Sequence, residues 1–208
     1  MEIPVATLDK LDYRDPTQIS TVVIHHTVLD PTLDITDVAA FEMNHFGFYT
    51  IGYNAYVKKI QGRESSLTKE AIATRWVVQQ GRPVDKLPAA QYGLNAQGYA
   101  IAVGGNYEPG ATSFLTPIED LMIDAVVGQI HALKEHYPWV KHLIGHKDVA
   151  DIMKEFGDNP EDYSTLCPGK NLYNHLDILR QKTGLLPYEP GLGNANEIYG
   201  FSSLKRRR

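Results

Sequence analysis

A few residues in this sequence have side chains that could together hold a metal ion. Two adjacent histidines, His25 and His26, end a β-branched segment, and His146 lies in the segment Gly-His-Lys-Asp. The single cysteine, Cys167, follows in the segment Thr-Leu-Cys-Pro-Gly. Zinc sites that hydrolyse amides use three protein ligands, often histidine and cysteine, and leave a fourth position open. The sequence therefore predicts a hydrolytic zinc site if the fold brings these residues together.

Each candidate ligand also has a simpler explanation when it is considered alone. A lone histidine is more often a structural or surface residue, and a lone cysteine behaves as a small buried hydrophobic side chain. Local zinc-finger patterns have much shorter ligand spacings than these residues have. Because successive side chains of a strand face opposite sides, only one of His25 and His26 should reach a shared site. The residues alone do not decide which one.

Short strands separated by helices must position the candidate ligands. Apolar and β-branched runs predict strands over residues 21–27, 51–60, 76–78, 99–103 and 143–146, which places the histidines at strand ends. Helices are predicted over residues 36–45, from Thr116 to about Tyr137, and over residues 170–183 with Gly184 as the stop. Strands interleaved with helices indicate an α/β domain.

The longest predicted helix has a clear start signal. In the segment Thr-Pro-Ile-Glu at residues 116–119, the threonine can cap the helix, the proline suits the first turn, and the glutamate completes a capping box. Apolar residues then recur at three- and four-residue steps. We therefore expect one face of this helix to pack on the sheet.

Length and composition fit one catalytic domain with a short appendage. The chain has 208 residues and a hydrophobic content of 43%, which is enough for one core of ordinary size. We expect one catalytic domain, which carries the candidate zinc ligands, over residues 1–184 and a linker-like C-terminal tail over residues 185–208, which ends in the basic segment Lys-Arg-Arg-Arg. We expect the protein to be a monomer.

Charge and hydropathy argue against some partners. The net charge of −5 speaks against nucleic acid. No apolar run approaches the roughly 18 residues of a membrane span, so we expect no stable membrane insertion. The first residues lack a basic start followed by an apolar stretch, so we expect synthesis in the cytoplasm without a signal peptide.

Several segments, taken together, resemble one enzyme family. The segments are Val23–Thr27 (VIHHT), Ile51–Asn54 (IGYN), Gly98–Asn106 (GYAIAVGGN), Gly145–Asp148 (GHKD) and Cys167–Gly169 (CPG). In this order they resemble the zinc-dependent N-acetylmuramoyl-L-alanine amidase family, which includes phage lysozyme-type amidases, bacterial wall-recycling amidases and animal peptidoglycan recognition proteins. The resemblance covers about residues 21–183. It implies a central, mostly mixed β-sheet flanked by helices, with Zn²⁺ as the cofactor.

The resemblance also implies roles for individual residues. The positions of the three zinc ligands fall on His25, His146 and Cys167. Tyr53 occupies the position of a tyrosine whose hydroxyl lies beside the metal and the scissile carbonyl. Thr165 occupies the position of a lysine or threonine that assists transition-state binding. The implied reaction is hydrolysis of the amide between N-acetylmuramic acid and L-alanine, and the expected partner is bacterial peptidoglycan.

The sequence departs from the family pattern at three places. Residues 99–103 lack the catalytic glutamate that some relatives carry on this strand. Gln91 stands where many relatives have a histidine, which leaves one substrate contact unassigned. The segment between Asp148 and Cys167 is longer than usual, and its acidic residues could form a flap over the cleft or a solvated loop. Because residues 99–103 offer no carboxylate, we expect Tyr53 to have a larger share in the catalysis.

Other functions stay open as alternatives. A non-catalytic peptidoglycan-recognition domain binds without cutting, but such relatives commonly lack the ligand that Cys167 supplies. A general zinc peptidase would carry a His-Glu-x-x-His helix, which this sequence lacks. For an amidase, we expect bacteriolytic, antimicrobial cell-wall degradation by a phage or prophage endolysin, which reaches the wall after release. Cytoplasmic wall recycling is the alternative role.

Overall fold

A five-stranded sheet forms the centre of the protein. The computed structural model describes residues 5–64, 71–110 and 114–189. In chain order the strands are β1 (Thr21–His26), β2 (Ala55–Ile60), β3 (Arg63–Glu64), β4 (Ala71–Ile72), β5 (Arg75–Gln80), β6 (Gly98–Val103) and β7 (His142–Gly145). The sheet order is β5-β2-β6-β1-β7, and β3 pairs with β4 separately. Only β5 runs antiparallel to its neighbour in the large sheet, which confirms the predicted mixed sheet.

Helices cover both faces of this sheet. They are α1 (Val5–Leu8), α2 (Ile35–Phe46), α3 (Asp120–His136), α4 (Asp148–Glu155), α5 (Lys170–Tyr173) and α6 (Leu176–Thr183), with short 3₁₀ helices at Pro16–Gln18 and Pro160–Tyr163. Because side chains alternate along β1, Val22 and Ile24 pack in the core with α3 and α6, whereas Val23 packs with α4. Every residue of β1 is buried, which explains its unbroken apolar run.

The start of α3 lies three residues later than the capping motif predicts, with Glu119 as the N-cap residue in place of Thr116. Helix α3 begins at Asp120, so the predicted cap at Thr116 is wrong. The hydroxyl of Thr116 instead accepts the backbone N–H of Asn106 at 3.0 Å. The carboxylate of Glu119 binds Lys59 and accepts the indole N–H of Trp76. Both residues of the expected capping box therefore stabilise tertiary contacts instead of the helix end.

The helix predicted over residues 170–183 is divided into α5 and α6. The break lies at His175, whose ring Nδ1 is 2.8 Å from the carbonyl oxygen of Asn171. In a continuous helix that carbonyl would accept the backbone N–H of His175, but this N–H donates to Leu172 instead. Gly184 ends α6 in the left-handed conformation with φ of 68°, as predicted.

Residues 51–54, predicted as the start of a strand, form a loop that leads into β2. Asn54 replaces part of the strand pairing with β6. Its side-chain Oδ1 accepts the backbone N–H of Ala100, and its backbone N–H donates to the carbonyl of Ala100, both at 3.0 Å. The guanidinium of Arg82 donates to the carbonyl oxygen of Ile51 at 2.6 Å. This loop carries Tyr53 to the edge of the sheet.

Packing against the domain continues for four residues beyond the expected domain end at residue 184, as far as Tyr188. Leu186 pairs with His142 beside β7, and the buried Tyr188 donates its hydroxyl to Glu155 at 2.6 Å. The remainder of the expected tail, including its basic end, lies outside the described residues. Within the parts of the chain that the structure describes, no helix has the length and apolar character needed to span a membrane.

Candidate metal centre

The ends of two parallel strands bring the candidate histidines together. Residue Ile24 of β1 pairs with Gly145 of β7, and the backbone N–H of His146 donates to the carbonyl of Ile24 at 3.1 Å. The imidazole rings of His25 and His146 lie 4.6 Å apart between centroids. The parallel pairing of these strands therefore places both rings at the same sheet edge.

The two neighbouring histidines at the end of β1 have different surroundings. His25 is 1% exposed, and its ring belongs to the group that could hold a metal. The ring of His26 points to the opposite face, where its Nδ1 accepts the backbone N–H of Tyr107 at 3.2 Å. The alternation of side chains along a strand thus separates the two rings, as expected.

A tight loop brings Cys167 to the same edge. The Cys167–Pro168 peptide is cis, and Gly169 has φ of 85°, a conformation that favours glycine. The carbonyl of Cys167 accepts the backbone N–H of Lys147 at 2.9 Å, which ties the loop to the end of β7. The sulfur lies 3.6 Å from Nδ1 of His25 and accepts the backbone N–H of His26 at 3.4 Å.

The three side chains fit the needs of a zinc ion. One donor atom from each of His25, His146 and Cys167 lies within 4.8 Å of the others. Burial lowers the pKa of His25 well below its ordinary value and that of His146 to about 4, so both imidazoles are neutral near pH 7. Burial raises the pKa of the Cys167 thiol to about 12, a cost that a bound cation would offset. Two nitrogen donors and one sulfur donor, with one side open, suit zinc.

A buried glutamine fixes the orientation of His25. The side-chain oxygen of Gln91 lies 3.0 Å from Nε2 of His25, and its amide nitrogen donates to the carbonyl of Gly98. Because the amide oxygen can only accept, Nε2 of His25 carries the proton and Nδ1 presents its lone pair toward Cys167. Gln91 stands at the position where the resemblance leads us to expect a histidine. Its side chain supports the candidate ligand His25 through the ring nitrogen that does not face Cys167.

Asp148 supports the loop that carries His146. Its carboxylate accepts the backbone N–H of Gly145 at 2.9 Å and the hydroxyl of Tyr173 at 2.5 Å. Burial raises the pKa of Asp148, and these two hydrogen bonds partly oppose that shift. Both oxygens are used to hold the end of β7 against α5.

A cleft of about 520 Å³ opens beside the three candidate ligands. Tyr53 and Thr165, the two residues that the resemblance assigns to catalysis, both line it. The ring of Tyr53 lies 5.3 Å from that of His25, and the hydroxyl of Thr165 accepts the backbone N–H of Cys167 at 3.1 Å. Burial, together with the nearby Glu42, raises the pKa of Tyr53 well above its ordinary value, so the phenol keeps its proton.

Comparison with solved structures agrees with this arrangement. The N-acetylmuramoyl-L-alanine amidase LysC from Clostridium intestinale superposes with a TM-score of 0.54 at 20% identity, covering 84% of this chain and 94% of its own. The Ph2119 endolysin from a Thermus scotoductus bacteriophage gives 0.54 at 19% identity, with coverages of 83% and 89%. The chain has the fold of N-acetylmuramoyl-L-alanine amidases.

The same amidase fold occurs in peptidoglycan recognition proteins. A Drosophila PGRP-LB variant in complex with tracheal cytotoxin superposes with a TM-score of 0.54 at 17% identity, covering 80% of this chain and 84% of its own. No protein-family model and no curated protein matches the sequence. At these identities the likeness establishes the fold.

One residue of this amidase-fold site was missed by the sequence analysis. Glu42 of α2 is 4% exposed and lines the cleft. Its Oε2 accepts the backbone N–H of Gly52 at 2.7 Å. Burial raises the pKa of Glu42 to about 7, although the hydrogen bond from Gly52 and the neighbouring Tyr53 and Arg82 oppose the shift. The only sequence signal is its position on the buried stripe of α2, four residues after Val38.

The long segment between Asp148 and Cys167 forms one wall of a second cavity. Tyr163 stacks on Tyr92, with ring centroids 5.5 Å apart and an angle of 17° between the rings. The cavity beside this pair has a volume of about 520 Å³ and shares His146 and Thr165 with the first cleft. The end of this segment, residues 162–165, therefore lines the cavity beside the candidate metal site.

Proposed function

We propose that this protein is a zinc-dependent amidase that hydrolyses the bond between N-acetylmuramic acid and L-alanine in bacterial peptidoglycan. The observation that carries the proposal is the convergence of His25, His146 and Cys167, with donor atoms within 4.8 Å of one another beside the cleft. The fold shared with the amidase LysC supports it. Tyr53 and Thr165 line the same cleft, so binding and catalytic groups adjoin the candidate metal site.

The chain's own residues would prepare the site for zinc. When bound, zinc supplies a Lewis acid that activates water as a nucleophile and polarises the scissile carbonyl. His25 and His146 are already neutral, so they can ligate without losing a proton. The Cys167 thiol has to lose its proton, and the backbone N–H of His26 stabilises the resulting thiolate.

Two hydroxyl groups would assist the reaction at the substrate carbonyl. The protonated phenol of Tyr53 can donate a hydrogen bond to the carbonyl oxygen as negative charge develops on it. The hydroxyl oxygen of Thr165 is fixed by the N–H of Cys167, which leaves the hydroxyl proton for a second hydrogen bond. Both contacts strengthen as the transition state forms, which is the condition for catalysis.

The composition of the cleft suits the proposed bond. Several apolar side chains line it, among them Leu29, Val38 and Phe48. The amide between the lactyl group of N-acetylmuramic acid and L-alanine has a methyl group on each side. An apolar wall next to polar groups at one end fits such a substrate.

Recognition of peptidoglycan without cleavage is the second candidate function. The similarity of the fold to a PGRP-LB variant bound to tracheal cytotoxin favours it. We rank it below the amidase because a recognition domain has no need for a nitrogen and sulfur donor set beside a protonated tyrosine.

For the biological role, we propose a phage or prophage endolysin that is made in the cytoplasm and attacks the wall after release, as a monomer. The likeness to the Ph2119 endolysin supports this role. Wall recycling is the alternative. The two roles differ in substrate, since an endolysin must act on polymeric wall and a recycling enzyme on soluble fragments.

The test is to incubate polymeric peptidoglycan with the zinc-loaded protein and to identify new ends by mass spectrometry. We expect free L-alanine amino termini without new reducing sugars, loss of this activity with a zinc chelator, and its return when zinc is added. The Cys167→Ser variant is the matched control and should be inactive. New reducing ends would contradict the proposal, and binding without new ends would favour the recognition domain. Faster cleavage of soluble muropeptides than of wall would favour recycling.

A further inference from the structure

The second cavity adjoins the candidate metal centre. It has a volume of about 520 Å³ and shares His146 and Thr165 with the first cleft. Small-molecule sites typically have volumes of roughly 300–1,000 Å³, so this cavity is large enough for part of a substrate. A substrate whose amide lies at the metal must extend away from that amide on both sides. The two cavities can therefore each hold one arm of the same substrate.

The walls of the two cavities differ in chemistry. Beside the metal ligands, the first cleft is lined by the apolar side chains of Val28, Leu29, Val38, Phe41 and Phe46. The second is lined by the polar side chains of Asn95, Asp162 and Ser164 and by the rings of Tyr92 and Tyr163. Carboxylate, amide and hydroxyl groups can bind the hydroxyls of a sugar, and an aromatic ring can pack on its C–H face. The first cleft therefore suits a peptide arm, and the second suits a glycan arm.

The tyrosine pair in the second cavity is built against a glycine. Tyr163 stacks on Tyr92 with ring centroids 5.5 Å apart and an angle of 17° between the rings. Gly93 has φ of 88°, and a Cβ atom there would lie 2.8 Å from the ring of Tyr163. Glycine therefore provides both the turn and the room for this ring. The hydroxyl of Tyr163 donates to Asp158 at 3.0 Å, which holds the far end of the side chain.

Tyr92 is the accessible member of this pair. It is 73% exposed, whereas Tyr163 is half-buried and packs against the core cluster that contains Met153 of α4. A ring that is already held in place by stacking loses little conformational freedom when a ligand packs on it. Tyr163 belongs to the long segment between Asp148 and Cys167, so this segment supplies the support for the accessible ring.

We propose that the cavity lined by Tyr92 and Tyr163 is the glycan subsite, in which the sugar ring of N-acetylmuramic acid packs on the ring of Tyr92. This inference rests on the amidase function proposed above. The lactyl group joins the sugar to the scissile amide through only a few bonds, so a sugar on that side of the metal reaches the adjoining cavity. Asn95 and Asp162 line the same cavity and can bind the sugar hydroxyls.

A disaccharide of N-acetylglucosamine tests the subsite without any turnover. This sugar has the ring and acetamido group of N-acetylmuramic acid but lacks the lactyl group and the scissile amide. We titrate it into the zinc-loaded wild type, Tyr92→Ala, Tyr92→Phe and Tyr13→Ala and measure the affinity by NMR. Tyr13 is an exposed tyrosine that lines neither cavity, so Tyr13→Ala is the matched control. N-acetyl-L-alanyl-D-isoglutamine is the probe for the peptide arm.

We expect Tyr92→Ala to weaken the affinity for the disaccharide by about 10-fold, because the aromatic surface is lost. Tyr92→Phe keeps the ring and should stay within about threefold of the wild type, as should Tyr13→Ala. The affinity for the peptide probe should be the same in all four proteins. A wild type that does not bind the disaccharide, or equal affinity in Tyr92→Ala, would overturn the inference. Loss of peptide affinity in its place would assign the cavity to the peptide and also overturn it.

Kinetics on two substrates give a second test. We compare kcat and KM of the same proteins on a muropeptide and on a D-lactyl peptide that lacks the sugar, and we measure zinc content and melting temperature. Tyr92→Ala should raise KM for the muropeptide by about 10-fold with unchanged kcat. On the sugar-free substrate it should match the wild type, since its partner is missing. An equal loss on both substrates would overturn the inference.

The two experiments separate the subsite from the proposed function. A wild type that binds the disaccharide through Tyr92 but cleaves no muropeptide would contradict the amidase function and support the sugar site. A wild type that cleaves muropeptide with the same KM as Tyr92→Ala would support the amidase function and contradict the subsite.

Discussion

The side-chain oxygen of Gln91 lies 3.0 Å from Nε2 of His25, while the other ring nitrogen of His25 lies 3.6 Å from the sulfur of Cys167. This arrangement sets the tautomer of a candidate ligand through a neutral, fully buried amide. The orientation of that amide is itself set by the carbonyl of Gly98. The candidate metal site therefore depends on a residue whose side chain is fully buried behind it.

Replacing Gln91 should weaken metal binding without unfolding the protein. Gln91→Leu introduces an apolar side chain of similar size and removes the acceptor for Nε2 of His25, so both tautomers become available. We expect the affinity for zinc to fall by about 10- to 100-fold, as measured by competition with a chromogenic chelator. Gln129→Leu, which breaks a hydrogen bond to Tyr99 on the other side of the sheet, is the control. Equal zinc affinity in the two variants would argue against the supporting role of Gln91.

Substitution of the three candidate ligands should separate them from the neighbouring histidine. His25→Ala, His146→Ala and Cys167→Ser should each lose bound zinc and wall hydrolysis, because a three-ligand site cannot hold zinc with two. His26→Ala should retain one zinc per chain, since its ring bonds the backbone of Tyr107 on the opposite face. The measurement is metal content after dialysis. Loss of zinc from His26→Ala with retention in His25→Ala would show that the wrong imidazole had been assigned.

Removal of the hydroxyl groups should reduce turnover but not metal content. Tyr53→Phe and Thr165→Val each remove one donor to the developing oxyanion, and the loss of one such donor typically costs on the order of 10²–10³ in kcat. Zinc content should stay at the wild-type level because neither side chain belongs to the candidate metal group. Tyr49→Phe, which changes an exposed tyrosine, should retain wild-type kcat. Wild-type kcat in both Tyr53→Phe and Thr165→Val would remove these hydroxyls from the mechanism.

The buried carboxyl of Glu42 should make stability depend on pH. Its pKa rises from an ordinary value of 4.5 to about 7 in the folded protein, so the unfolded chain loses this proton at lower pH than the folded protein does. The contribution of Glu42 to stability is therefore fully present below about pH 4.5 and is lost as pH rises to about 7 and above. The glutamine in Glu42→Gln has no proton to lose in this range. The free energy of unfolding of Glu42→Gln minus that of the wild type should therefore increase by up to about 3 kcal/mol as the pH rises from about 4.5 to about 7.

Urea unfolding of both proteins between about pH 4 and pH 8 measures this difference. Glu135→Gln provides the comparison for a glutamate at an exposed position on α3. A constant difference between Glu42→Gln and the wild type across the range would contradict the raised pKa.

Much of the site could be predicted from sequence because strand periodicity and strand ends are local properties. The run from Thr21 to His26 indicates a strand with its two histidines on opposite faces, and the structure places them so. The same argument puts His146 at the end of β7. Parallel pairing then brings both strand ends together, which the α/β pattern implies.

The misplaced helix start arises where tertiary contacts compete with a local signal. Thr116 and Glu119 have the types expected of a helix start, but Asn106, Lys59 and Trp76 bind their side chains. These three partners lie at least 10 positions away, outside the short windows from which helix ends are predicted. The break before α6 has a local cause, because the ring of His175 lies against the carbonyl of Asn171 four residues earlier.

The supporting residues of the site were beyond prediction for a related reason. Gln91 lies 66 positions from His25 in the chain, and only the fold shows that their side chains meet. Glu42 lies in an apolar stripe of α2, where a carboxylate breaks the pattern, and only the fold shows that it accepts the backbone N–H of Gly52. Ligand types follow from chemistry, whereas their supporting partners follow from packing.

X-ray absorption spectroscopy of the zinc-loaded protein tests the central claim most directly, because it counts the ligand atoms around the ion. Coordination by His25, His146 and Cys167 predicts one zinc per chain, with one sulfur at about 2.3 Å and two imidazole nitrogens at about 2.0–2.1 Å. The sulfur should disappear from the spectrum of any zinc that remains in Cys167→Ser. A zinc shell that contains no sulfur in the wild-type protein, or a protein that binds no zinc, would contradict the proposed metal centre.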